Sequence, residues 1–343
     1  MLPACVPLVP VYNPLAMAVS VIITVLNEAR SLPALFDSLA AQTRLPDEVI
    51  VVDGGSVDGS LDLLHAERAR ARFRLAIIEK PGSNISQGRN TAIAAARGEI
   101  IAATEAGVRL DPTWLERLVA PLEQPAGVRP AVVAGFFRPD PHTLFEVAMA
   151  ATVLPALRDV DPGSFLPSSR SVAFFKHAAE RVGGYPEWLD YCEDLIFDFR
   201  LRDRFGPFAF VPEAQVYFRP RGDLRAFWRQ YYQYARGDGK ADLWRMRHLT
   251  RYLTYLVAIP AIGLLGWWRG WRWWLLYLVS IPAMFVTPWR RLPPLWRDYA
   301  PLDRLKAALW VPVIRVAGDL AKMVGYPAGL WWRWRNRPPD WME

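Results

Sequence analysis

Val19-Ser-Val-Ile-Ile-Thr-Val-Leu-Asn-Glu28, followed by Glu48-Val-Ile-Val-Val-Asp-Gly-Gly-Ser-Val-Asp-Gly-Ser60, decides the fold of this chain. Each segment is a β-branched apolar run that ends in polar residues. Between them, Arg30 to Gln42 places Leu32, Leu35, Phe36 and Leu39 on one helical face. Strand, helix and strand in this order make a right-handed crossover between two parallel strands. Ligands of such sheets bind beyond the carboxyl ends of the strands, where Thr24, Asn27, Glu28, Asp53 and Ser56 gather. The glycines of the second turn permit positive φ and close approach of backbone to a ligand. Asp53 is placed to accept a hydrogen bond from a base N–H or a sugar hydroxyl.

Outward from this unit the alternation continues. Leu75–Glu79 reads as a third strand, Gly88 to Ala96 as the opening of a helix, and Ile100–Thr104 as a fourth strand. Asp111-Pro112 reads as the cap and first turn of a helix through Trp114, Leu115 and Leu118, and Ala131–Phe136 as a further strand. The pattern predicts an α/β domain on a mostly parallel, buried sheet. Asp159 to Arg170, rich in Asp, Pro, Gly and Ser, reads as a loop beside the site.

Charge is unevenly distributed over the 343 residues. Residues 241–343 hold 15 of the 41 basic residues but 6 of the 34 acids, a net +9, together with 13 of the 16 Trp; residues 1–240 are near neutral at −2. Trp favours the headgroup zone and Arg favours anionic lipid, so the tail reads as a membrane contact. Its intervening residues are Leu, Val, Ile and Ala, which argues against nucleic acid as the partner. Cys5 and Cys192 lack metal-ligand spacing, which suits a reducing compartment. Residues 1–18 carry four prolines and no basic start, and read as an extended arm.

Within the tail, Tyr252–Trp268 and Trp273–Trp289 are uncharged segments interrupted by Pro260 and Pro282. At about 1.5 Å per residue each is near the short limit for a span, and a kinked transmembrane hairpin over 252–289 is expected, with a re-entrant or interfacial hairpin as the alternative. Residues 307–332 place Arg315, Asp319 and Lys322 on one helical face, which predicts a helix lying in the interface. Two crossings put the basic segments 290–306 and 333–337 in the cytoplasm.

Val-Ser-Val-Ile-Ile-Thr-Val-Leu-Asn-Glu and Val-Val-Asp-Gly-Gly-Ser-Val-Asp-Gly-Ser resemble the opening of a family-2 glycosyltransferase, and five such blocks occur in order between residue 19 and about 240. The resemblance implies a GT-A fold, a nucleotide-sugar donor and inversion at the anomeric carbon. It places Arg89 and Asn90 near the nucleotide; the residues alone allow a cap and a solvated charge instead. Thr104-Glu105-Ala-Gly107 stands where the family has Asp-x-Asp, so Glu105 is the expected metal ligand. Gly107 offers none, and a divalent cation (Mg or Mn) is expected to be weakly held or dispensable. Tyr191-Cys-Glu-Asp-Leu195 resembles the family's Glu-Asp motif, which makes Asp194, with Glu193 beside it, the expected base; the alternative is two acids complementing a helix dipole.

Gln230 to Lys240 resembles the Gln/Arg-Gly element that closes over the donor pyrophosphate, with Gln233 and Arg236 as binding residues and Gly237 and Gly239 as hinges; a surface anchor is the alternative. Arg219 and Arg221 are further phosphate candidates. The division expected is an arm (1–18), a GT-A domain (19–240) and membrane-associated helices (241–343). The function expected is a membrane-bound inverting transferase of the hexosyltransferase class, at the cell membrane with its catalytic domain cytoplasmic, acting on a lipid-linked or membrane-proximal acceptor. The alternative is a membrane-tethered nucleotide-sugar-binding protein without transferase activity.

Overall fold

The computed structural model describes residues 17–340 except 126 and 128; the expected arm lies almost wholly outside the described residues. The chain runs β1 (Val19–Val25), α1 (Leu32–Ala40), β2 (Glu48–Asp53), α2 (Ser60–Arg70), β3 (Arg74–Glu79), α3 (Ile85–Ala95), β4 (Ile100–Ala103), β5 (Val108–Leu110), α4 (Trp114–Val119), β6 (Val132–Pro139), α5 (Leu144–Val153), β7 (Val172–Phe175), α6 (Lys176–Arg181), α7 (Glu193–Phe205) and β8 (Ala209–Phe218). It continues through α8 (Leu224–Lys240), α9 (Arg245–Tyr252), α10 (Ile259–Arg269), α11 (Leu275–Ala283), α12 (Val286–Arg291) and α13 (Pro301–Asn336).

One eight-stranded sheet, ordered β3-β2-β1-β4-β7-β6-β8-β5, forms the frame. β1 pairs in parallel with β2 on one side and β4 on the other, and β3 extends the parallel half. β7 runs antiparallel to both β4 and β6, and β5 antiparallel to β8. Strands β1, β2 and β4 are buried on nearly every residue, as expected where helices cover both faces. Leu32, Leu35, Phe36 and Leu39 of α1 are all buried against them. The strand order reverses between β1 and β4, which makes their carboxyl ends the switch point.

Two local expectations shift. α3 opens at Ile85, one turn before Gly88, because Asn84 and Gln87 form a capping box. The Gly88 N–H is therefore spent on Asn84 O at 3.0 Å and is not a free helix-end donor. Gly88 serves packing instead: a Cβ there would lie 2.8 Å from Thr24 Cγ2, so only glycine lets α3 ride against β1. α4 begins at Trp114, leaving Pro112 outside its first turn.

The tail departs further from expectation. α9, a π-helical turn at Leu253–Ala258 and α10 form one continuous helix, Arg245–Arg269, long and apolar enough to cross a membrane and with 6% of its apolar window buried. The wide turn precedes Pro260, whose ring would clash with a carbonyl one α-turn back. Trp273–Trp289 does not form a second span. It breaks into a 3-10 turn at Trp271–Trp274, the nine residues of α11, and α12. Pro282 cannot donate to the preceding turn, and the chain tightens through Met284 N to Ile281 O and Phe285 N to Pro282 O. A hairpin of two spans over 252–289 is thus replaced, among the described residues, by one span-length helix and a set of short ones.

The expected helix at 307–332 is longer, and one face packs on the sheet domain. Ala307, Val311, Ile314, Gly318, Ala321, Gly325 and Gly329, spaced by threes and fours, are buried along α13. Leu302, Leu309, Val324, Trp331 and Trp334 on the other face are exposed. The charges on this helix are paired: Asp319 takes Arg251 at 2.8 Å and Arg315 at 3.1 Å, and Lys322 sits over the Tyr231 ring.

α13 meets α8 backbone to backbone. A Cβ at Gly325 would overlap Tyr232 O, one at Gly329 would overlap Arg236 O, and one at Gly239 would overlap Tyr326 O. Gly237 touches the other neighbour of α8: a Cβ there would lie 2.7 Å from Tyr191 O and 2.9 Å from Cys192 Sγ. Gly237 and Gly239 are contact points inside a helix, not hinges.

Candidate active site

Beyond the ends of β1 and β4 lies a cavity of about 1290 Å³. Thr24, Glu28 and Gly54 bound it at the parallel half of the sheet, and Glu105, Arg170 and Asp194 at its middle. Met149, Tyr231 and Lys322 line its far end.

Asn27, Asp53 and Ser56 form the floor around the first strand ends and do not line the cavity. Asn27, at φ 59°, accepts from Val57 N and donates its own N–H to Ser56 Oγ at 2.8 Å. Asp53 accepts from Gly55 N at 2.9 Å and Ser56 N at 2.8 Å. The three residues fasten one loop to the other, with Gly55 supplying φ 102°. Thr24 and Glu28 face the cavity, and the Glu28 carboxylate accepts from the Ser31 hydroxyl.

A chain of charges crosses the middle. Arg89 of α3, 3% exposed, donates to Glu193 Oε1 at 2.6 Å and lies 3.4 Å from Glu105 Oε1. Arg170 donates through Nε to Glu105 Oε2 at 2.8 Å. Arg89 is thus a buried strut between the β4 end and the start of α7, not a solvated charge. Asn90 ties α3 to the turn before α7: it bonds Tyr185 O at 2.9 Å and Glu187 Oε1 at 3.0 Å, and accepts from Tyr185 N at 2.8 Å.

Asp194 stands in the first turn of α7, behind Cys192 at φ 65°. Burial pushes its carboxyl above the usual range; Arg89 lowers it, Glu105 raises it, and Leu195 N–H and Arg170 lower it. Glu193 is also pushed upward, first by burial and then by the Asp194 charge, with Arg89 opposing. A half-buried carboxylate of raised basicity, open to a cavity, is suited to proton abstraction.

Gln233 and Arg236 do not line the cavity. On α8, Ala226, Gln230, Tyr231, Tyr234 and Asp238 do, and residue 236 lies about 200° around the helix from 234. Arg236 instead pairs with Asp190, as does Lys240 at 2.7 Å, which fixes the segment that leads into Glu193-Asp194. Arg219 and Arg221 do line the cavity, and Arg219 is held at 2.9 Å by Glu146, a fully buried acid of α5.

Sequence reading missed Arg170, Asp190 and Glu146 as parts of the site. Glu146 had a signal, a lone acid inside the apolar run Leu144–Val153. Arg170 had only its place at the end of a polar loop.

A divalent cation fits poorly. Both Glu105 oxygens face arginines, Gly107 brings no ligand, and no group of three His, Cys, Asp or Glu that could hold a metal occurs among the described residues.

The fold and the site at its switch point define a GT-A-type glycosyltransferase domain. Residues 20–170 match the family profile described as Glycosyl transferase family 2. The chain is 28% identical over 265 residues to the succinoglycan biosynthesis protein ExoA of Rhizobium meliloti, covering 71% of this chain and 77% of that one. It is 35% identical over 120 residues to an undecaprenyl-phosphate 4-deoxy-4-formamido-L-arabinose transferase of Serratia proteamaculans, covering 31% and 34%. For other curated relatives the aligned segment spans 32% and 29% of their length. Among solved structures, a mannosyltransferase from Pyrobaculum calidifontis in complex with GDP-Man and Mn2+ superposes with a TM-score of 0.59 at 18% identity, covering 90% of this chain and 87% of that one.

Proposed function

We propose that the protein is a membrane-associated, inverting glycosyltransferase that moves a sugar from a nucleotide-sugar donor to a lipid-linked or membrane-proximal acceptor, with its catalytic domain on the cytoplasmic side. The observation that carries this reading is Asp194, lining the same cavity as the strand ends of the family-2 domain. The nucleotide rests against Thr24, Glu28 and the loops that Asn27, Asp53 and Ser56 hold together. Arg89, Asn90 and Arg236 act from behind as positioning residues.

Asp194 takes the proton of the acceptor hydroxyl as that oxygen attacks the anomeric carbon from the face opposite the diphosphate. The new carbon–oxygen bond forms as the bond to the phosphate oxygen breaks, and the nucleoside diphosphate leaves. Glu193, paired with Arg89, holds the turn that aims Asp194. The exposed apolar surface of Arg245–Arg269 and the undecaprenyl-phosphate transferase among the relatives support a lipid acceptor.

The test is mass spectrometry of lipid extracts after incubation of the detergent-purified chain with a panel of nucleotide sugars, beside Asp194→Asn. A glycosylated lipid made by the parent and not by the variant supports the proposal. Donor binding with neither transfer nor hydrolysis returns the chain to the binding-protein reading.

A further inference from the structure

We propose that Arg170, seated on Glu105, takes the place of the divalent cation and is the charge that receives the donor diphosphate. The inference rests on the nucleotide-sugar reading above and concerns how that donor is held.

Glu105 is engaged on both carboxylate oxygens. Its Oε2 accepts from Arg170 Nε at 2.8 Å and its Oε1 faces Arg89 Nη2 at 3.4 Å. To bind a hard cation in the usual way it would have to turn an oxygen away from a guanidinium that is itself largely withdrawn from water. The residue two positions on cannot help, since Gly107 has no side chain. The nearest acid there is Glu28, with Oε2 4.0 Å from where a Cβ of residue 107 would stand, and that carboxylate already accepts from the Ser31 hydroxyl.

Arg170, by contrast, is built to stay in place. Both its chain neighbours are locked: Ser169 Oγ bonds Tyr185 Oη at 2.9 Å, and Ser171 Oγ donates to Ala214 O and accepts from Trp114 Nε1, each at 2.9 Å. Its guanidinium lies 4.7 Å from the Phe218 ring centre and lines the cavity. A guanidinium carries five N–H donors in a fixed fork; Nε is spent on Glu105 and the group also bonds the Tyr234 hydroxyl, which leaves further donors for a ligand. The fork can hold diphosphate oxygens bidentately without a metal between them. Arg221, also at the cavity, adds a second charge of the same sign. Glu105 thus serves as a pedestal for Arg170, not as a metal ligand.

Titration calorimetry of the full chain in detergent with UDP, GDP and ADP, in EDTA and in Mn2+, tests this. At least one nucleoside diphosphate is expected to bind with affinities within about twofold in the two buffers, and Mn2+ alone to give no saturable heat. Arg170→Ala should weaken that binding by about 10- to 100-fold, the size of one bidentate charged contact, and Arg170→Lys by less. Glu105→Gln should leave it unchanged or tighter, because a negative charge near the phosphates is removed while an oxygen acceptor for Arg170 remains. Thermal unfolding of the apo variants separates loss of the contact from loss of the fold. Binding seen only with Mn2+, or lost in Glu105→Gln, overturns the inference and leaves the nucleotide-sugar reading standing. No binding of any of the three in either buffer overturns both.

Discussion

Gly329→Ala should destabilise the protein, although the substitution on its own favours a helix. Alanine is better than glycine in an unhindered helix interior by about 1 kcal/mol. At Gly329, however, a Cβ would overlap Arg236 O and lie 2.8 Å from both Gly239 Cα and Lys240 N, all backbone atoms of α8. Ordinary carbon contacts need about 3.5 Å, so relief requires the two helices to part, and backbone cannot step aside as a side-chain tip can. Overpacking of this kind costs about 1–3 kcal/mol, occasionally more, and should outweigh the propensity gain. With about 1 kcal/mol of that cost offset by the propensity gain, and at about 2 °C per kcal/mol for a chain of this size, the midpoint of thermal unfolding in detergent should fall by up to roughly 4 °C. Gly263→Ala is the milder comparison: its new Cβ would meet the Tyr277 hydroxyl, which donates to Ile259 O, at 3.1 Å and no backbone atom, and its midpoint should fall less than that of Gly329→Ala. A Gly329→Ala midpoint equal to or above that of the parent would refute the helix contact.

Asp194→Asn keeps the shape of the side chain and removes its basicity, so steady-state transfer should drop by about two to four orders of magnitude while calorimetry shows donor binding retained. A base must be deprotonated to act, and burial raises the Asp194 carboxyl, so transfer should be lost as pH falls through a value above the ~3.9 of an exposed Asp. The kcat/KM profile reads that limb, and its absence from the range above ~3.9 would count against Asp194. The apolar surface of Arg245–Arg269 should keep the chain in membranes through a high-salt wash and require detergent for release; full-length protein in the salt supernatant would remove the anchor.

The parallel half of the sheet was legible because two independent signals agree there. Val19–Val25 and Glu48–Asp53 are continuous apolar runs, and Asn27 and the glycines that follow Asp53 mark where each must turn. The antiparallel half was harder to read. β8 spans ten residues that include Pro212, Glu213 and Gln215, and its strand character comes from pairing with β6 and β5, not from its own pattern. Asp194 and Glu105, which both line the cavity, were singled out by their neighbours in sequence. Arg170 was not, because its importance lies in Glu105, 65 positions away, and in Phe218. The tail misled for a physical reason. Composition shows that Trp273–Trp289 is apolar, but only the lost donor at Pro282 and the packing of Phe285 beneath α5 and α13 decide that it folds into short pieces.

Gly237 couples the helix Arg245–Arg269 mechanically to the turn that carries Asp194. α8 is one rigid rod whose side chains wall the cavity, whose glycine presses on Tyr191 and Cys192, and whose far end reaches Arg245–Arg269 through four residues, two of them, Ala241 and Leu243, buried. No slack linker intervenes, so under the proposed membrane attachment this helix is a lever and not a tether: a change in its tilt has to be absorbed at the turn that carries Asp194. On that reading the lipid environment becomes a kinetic variable, with turnover expected to differ among vesicles of graded acyl length, while equal rates across the series would mean that the rod transmits nothing.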